Sequence, residues 1–400
     1  GSALGGIAGR LAAPTTVSEC VNSGSVTDRG DPVTKNNVIS LGGIVGQSDA
    51  AISIEGECNN SGVILRTEGA KMNNNFFLGG ILGSNTASGT SVSSCRNLPG
   101  GNVICDAETS LLVRIGGILG NATAPSTLLD CTNNASIKVY SDAAYIHSGG
   151  IFGDFASGSA GSTIQDCINF GDILLTGSAT SSARVGGVGG DVVGTSSCSN
   201  LTNRGEIRNS GGTTADLRLG GVCGANTTAA SVFSQCANYG AVISDATENL
   251  SKGYFGGVLA YGGSGTHLTD CENYGDISVA ATEVANLWIS GLTGLSYSST
   301  YITGCKIRCS LTGTGTKANI GMAVGYGTET ILTSTGIGGT INGVNIDNGN
   351  WSQEGVLYGT VTGNGVDISG GAASCYLLGA DSSSSGTEEF DANLPDVILK

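Results

Sequence analysis

Aliphatic residues recur along this chain in two short phrases set among glycine, asparagine and serine. The first phrase is Gly-Gly-aliphatic-x-Gly, as in Gly5-Gly6-Ile7-Ala8-Gly9, Gly42-Gly43-Ile44-Val45-Gly46 and Gly79-Gly80-Ile81-Leu82-Gly83. Further copies open at Gly116, Gly149, Gly186, Gly220 and Gly256, with weaker ones at Ser290 and Gly321. Successive starts lie 37, 37, 37, 33, 37, 34, 36, 34 and 31 residues apart, so the chain is an array. The second phrase is aliphatic-x-x-Cys-x-Asn-x-Gly-x-aliphatic. Clear copies are Ile164…Cys167…Asn169…Gly171…Ile173 and Leu268…Cys271…Asn273…Gly275…Ile277. In the sixth unit Leu201 takes the cysteine slot and leaves Cys198 out of step. After Cys305, Ile307 and Cys309 replace the Asn and Gly.

Cys, Asn, Gly and the closing aliphatic residue stand at even spacing, the period of a strand, so they share one face. The aliphatic residue three before Cys has the opposite parity, which predicts a corner just before Cys. No stretch carries a helical stripe. Each unit therefore predicts three short extended pieces separated by turns. Such a unit cannot bury its own apolar face, whereas stacked copies bury a continuous one. The pattern predicts an all-β chain folded as a right-handed parallel β-helix. Residues 1–327 would supply about ten coils, each rising ~4.8 Å. Residues 328–400, where the register fails, are expected to form a degenerate last coil and an irregular C-terminal cap. The serine run from Asp381 to Gly386 reads as a connector to Phe390–Leu399.

At these two phrases the chain resembles the GLUG-type repeats of bacterial cell-surface and secreted proteins, over roughly residues 4–325. The resemblance implies an exported, adhesin-like solenoid module and supplies no catalytic residues. The array opens at Leu4 in mid-repeat, which predicts a trimmed chain whose natural form carries an export signal and a further domain upstream.

Charge and composition narrow the function. The net charge is −15, from 32 acidic and 17 basic residues, and no Lys/Arg cluster exists to neutralise phosphates, which excludes a nucleic-acid binder. No apolar run reaches the length of a membrane span. Eight of the 13 cysteines share one repeat slot, which predicts an inward ladder of free thiols rather than a disulfide framework. With no Cys-x-x-Cys pair and only His147 and His267, neither a metal site nor a cofactor is expected. Asn22, Asn60, Asn97, Asn133, Asn169, Asn203, Asn238 and Asn273 predict a second ladder of stacked amides. The residue before Cys is often acidic (Glu19, Glu57, Asp130, Asp166, Asp270) and is expected to face water.

Three functions remain open. The slot after Asn holds Phe170, Arg204, Tyr239 and Tyr274 in successive units, an outward stripe suited to a sugar ring or a partner protein, or else a cover for the solenoid's flank. The leading expectation is a non-catalytic adhesion or ligand-binding module at the outer cell surface, contacting a glycan or a host or partner protein through that stripe. The second is a polysaccharide-active enzyme using Asp270 and Glu272, which at i and i+2 on a strand would stand about 7 Å apart. The third is a passive stalk.

Overall fold

The computed structural model describes residues 2–29, 38–67, 73–109, 111–211, 215–227, 230–245, 250–280, 286–297, 299–314, 318–347, 356–368 and 375–378. The chain is a parallel β-solenoid built from three sheets. The first holds ten strands, from Ser2–Gly5 to Ala318–Gly321, one for each coil. The second and third hold twenty each. The fifth coil is typical. Ala143–Gly149 lies in the first sheet, Phe152–Phe155 and Thr163–Gln165 in the second, and Ile168–Asn169 and Ile173–Leu175 in the third. Five short strands thus replace the three expected pieces, because each phrase is broken by a corner. The only helical structure among the described residues is a single turn at Ser157–Ser159. Parallel pairing runs on past residue 327: Val324 pairs with Tyr358, and Ile337 with Leu377. The serine run and Phe390–Leu399 lie outside the described residues.

The corner before Cys is a left-handed residue. Glu19, Glu57, Ser94, Asp130, Asp166, Asn200, Gln235 and Asp270 all have φ between +51° and +61°. Asn and Asp adopt this conformation more readily than other non-glycine residues, which accounts for part of the polar bias at the slot. The same corner overturns the geometry expected of Asp270 and Glu272. Their strands end at Thr269 and begin at Glu272, so the two carboxylates do not share a strand face. Cys198 is also explained: it pairs with Ile164 and Phe233, and so fills the aliphatic slot two before the corner.

Inside the coils, the two phrases meet. Each Asn Nδ2 donates to the Oδ1 of the Asn in the next coil at 2.7–2.9 Å, in an unbroken run from Asn22 to Asn273. The amide also closes its own turn: Asn169 Nδ2 donates to the Gly171 carbonyl, and the Gly171 N–H donates to Asn169 Oδ1. All the amides from Asn60 onward are fully buried. The second glycine of the opener makes room for them. A Cβ on Gly150 would lie 2.1 Å from the Asn169 side chain, and one on Gly117 would lie 2.3 Å from that of Asn133. Replacing Asn169 by Ala removes a partner from both neighbours in a dry interior, at about 1–3 kcal/mol. We expect Asn169→Ala to lower the urea midpoint more than Asn22→Ala, whose amide has a neighbour on one side only.

No disulfide joins any of the thirteen cysteines, and every one except Cys20 is buried. Burial pushes the Cys105 thiol up to about 11 and the Cys198 thiol up to about 12. A buried thiol with so little thiolate is inert. In the native protein a thiol reagent at pH 8 should modify Cys20 rapidly and the other twelve only on unfolding, as counted by mass spectrometry.

Candidate functional site

The strongest concentration of charge lies on the outside of the solenoid, in the corner between the first two sheets. Alternation along Leu112–Gly116 turns Val113 and Ile115 into the core and Arg114 outward. The sheets close on each other there. A Cβ on Gly120 would lie 2.7 Å from the backbone of Leu78, so the glycine that ends each opener permits the approach. The outward residues of the first sheet stack in register as Phe77, Arg114, His147, Arg184, Arg218, Tyr254 and Trp288. Those of the second sheet run Ser84, Asn121, Asp154, Asp191, Ala225, Tyr261 and Leu295.

The two files interlock. Arg114 donates to Asn121 Oδ1 at 2.6 Å, and its Nε lies 2.5 Å from Asp154 Oδ2. His147 Nδ1 lies 2.8 Å from the same carboxylate oxygen, and Arg184 pairs with Asp191. Arg218 forms a fork on Asp216 at 2.7 and 3.0 Å and lies 4.0 Å above the Tyr261 ring. Towards the C-terminus the ionic pairs give way to rings. Tyr254 stacks on Trp288 at 4.8 Å and meets Tyr261 edge-on, while Trp288 leans on Tyr326.

His147, Asp154 and Asp191 bring their ligand atoms within 4.8 Å of one another. The donor set suits a divalent cation poorly, because Arg114 and Arg184 already neutralise the two carboxylates. Nor are these carboxylates free for acid–base chemistry. Burial raises Asp154, but Arg114, His147 and Arg184 outweigh it and hold the carboxyl below its ordinary value. Burial, with the Asp154 charge one coil away, lifts Asp191 despite Arg184. The arrangement fastens two sheets together. None of it was singled out from the sequence, although a signal exists: one residue recurs two places before each opener and one directly after it.

The expected stripe lies elsewhere, on the third sheet. Phe170, Arg204, Tyr239 and Tyr274 each donate a backbone N–H to the Asn carbonyl of the preceding coil, which places all four in one file. Arg204 lies 4.9 Å above the Tyr239 ring, and Tyr239 stacks on Tyr274 at 5.2 Å with planes 1° apart. The Tyr274 hydroxyl donates to Glu272 at 3.0 Å. Burial pushes the Tyr239 hydroxyl up, and Glu272 adds to this against Arg204. Asp270, the other carboxylate considered for catalysis, stands at the left-handed corner outside this file. The chain matches no protein-family model, and no curated protein or solved structure matches it.

The opposite shifts of the two carboxylates give a test. Asp154, lowered when folded, stabilises the protein above its ordinary pKa of 3.8, and that contribution is lost as pH falls through the folded value. Asp154→Asn should cost about 3 kcal/mol at pH 7 by leaving Arg114 short of its counter-charge. The gap from the parent should narrow below about pH 4, read as urea midpoints across pH. Asp191, raised when folded, contributes the opposite slope, so Asp191→Asn should cost less at pH 7.

Proposed function

We propose that the chain is a non-catalytic binding module that works outside the bacterial cell, holding a glycan or a partner protein along one face of a rigid solenoid. The observation that carries this reading is the in-register stack of Arg204, Tyr239 and Tyr274 on the exterior. A guanidinium and ring edges held at a coil's spacing offer repeated polar and apolar contacts to an extended ligand. The stacked ring faces cover one another, so contact runs through the edges, the hydroxyls and the Arg204 donors. The resemblance to exported surface repeats and the small share of charged residues, 12%, agree with this reading. A polysaccharide-active enzyme has weaker support, since Asp270 and Glu272 are parted by a corner and Glu272 accepts the Tyr274 hydroxyl.

A glycan and mucin array tests the proposal, run with the parent and with a Tyr239→Ala/Tyr274→Ala variant. Saturable binding that weakens about tenfold or more in the variant is the expected result. Binding unchanged by the variant moves the contact off the stripe. New reducing ends released from a polysaccharide favour the enzyme, and neither binding nor release favours a stalk.

A further inference from the structure

We propose that the file on the third sheet binds a glycan through a sugar carboxylate, seated on the Arg204 guanidinium and the Tyr239 hydroxyl. This rests on that file being the binding surface, and it names the chemistry the surface selects. Arg204 is a cation without an anion. Arg66, Arg114, Arg184, Arg208 and Arg218 each have a carboxylate at ion-pair distance. Arg204 has none among the described residues, although the chain holds 32 acidic residues to 17 basic ones. It lies half-buried over the Tyr239 ring, and its Nε is buried with no hydrogen-bond partner among the described residues. Stacking on a tyrosine steadies a guanidinium but leaves its in-plane N–H donors unused. The Tyr239 hydroxyl is open as well: unlike that of Tyr274, it makes no hydrogen bond to a described residue. Two unspent donor groups thus stand one coil apart, ~4.8 Å along the axis.

The surroundings narrow the ligand. The acids close in sequence are engaged elsewhere: Glu206 accepts from Arg208 Nε at 2.7 Å, and Glu272 accepts the Tyr274 hydroxyl. Asp172, whose Oδ1 accepts the Glu206 N–H at 2.8 Å, adds a further negative charge beside them. A carboxylate matches the guanidinium fork in shape and charge. The flanking acids disfavour a dense polyanion such as a nucleic acid or a sulfated chain, yet they accept hydrogen bonds from neutral hydroxyls. One carboxylate set among hydroxyls is the chemistry of an acidic sugar. A peptide gains less here. The backbone N–H groups of Phe170, Arg204, Tyr239 and Tyr274 are all spent along the axis, so a peptide main chain finds no open ladder to join.

The test is an array of oligogalacturonate, a hyaluronan hexasaccharide and sialyllactose, each beside its carboxyl-reduced counterpart, with heparin and poly-glutamate alongside. The full chain should bind at least one acidic sugar about tenfold or more tighter than its reduced form. Arg204→Gln should bring that ratio close to one. A weakened fold would lower binding of both forms alike, so the ratio reports the contact and not stability. Arg204→Lys, which keeps the charge and loses the fork, should fall between. Tyr239→Phe, which keeps the ring and loses the hydroxyl, should lower the ratio severalfold. Equal binding of acidic and reduced forms overturns the carboxylate assignment and leaves the file standing as a binding surface. A preference that survives Arg204→Gln overturns it too, as does tighter binding of heparin or poly-glutamate than of every acidic sugar. Binding to no glycan at all overturns both the assignment and a glycan role for the file.

Discussion

The structure depends on one contact: an asparagine amide laid against a glycine that cannot carry a Cβ. In the fifth coil that contact joins Asn169 to Gly150, and the same pairing recurs in each coil from the first to the eighth. The amide is fully buried and hydrogen-bonded along the axis to both neighbours, so it cannot tilt away to admit a larger residue. Both phrases of the repeat are consequences. The Cys-x-Asn-x-Gly phrase supplies the amide and the turn it closes, and the Gly-Gly phrase supplies the space. Where the ninth coil replaces Asn with Ile307, the opposing Gly291 packs on the isoleucine side chain instead. The regular amide ladder stops there, although parallel stacking continues.

A strictly periodic array has a weakness, since a coil shifted by one repeat would satisfy the same interior contacts. The outer corner between the first two sheets removes that degeneracy. Its contents change along the axis, from the Ser40–Ser84 hydroxyl pair through the Arg114–Asp154 and Arg184–Asp191 ion pairs to the rings of Tyr254, Tyr261 and Trp288. A slip by one coil would set Arg114 beside Ser84 and Tyr254 beside Ala225. Unpaired charge in so closed a corner is costly, so the aperiodic seam selects one register while the periodic interior supplies cohesion.

The seam and the stripe also divide the surface by what each can do. The seam's carboxylates are covered by guanidiniums and closed by the approach of two sheets. The Arg204–Tyr239–Tyr274 file stands half-buried on an open sheet face, where a ligand can reach ring edges and hydroxyls. Charge density alone would point to the seam, but its buried, paired carboxylates leave the stripe as the surface on which the proposed function rests.

The repeat spacing by itself determined the stacked-coil architecture, the amide ladder, the reduced cysteines and the common file of Phe170, Arg204, Tyr239 and Tyr274. All four follow from residues at one slot, and in a parallel array one slot maps to one line along the axis. Only the tertiary structure decided which slots face each other. Arg114 and Asn121 lie seven residues apart and touch because the sheet corner folds between them. Asp270 and Glu272 lie two apart and diverge because a left-handed residue breaks the strand. Spacing records position along the coil, whereas contact across a corner depends on backbone angles that the spacing does not contain.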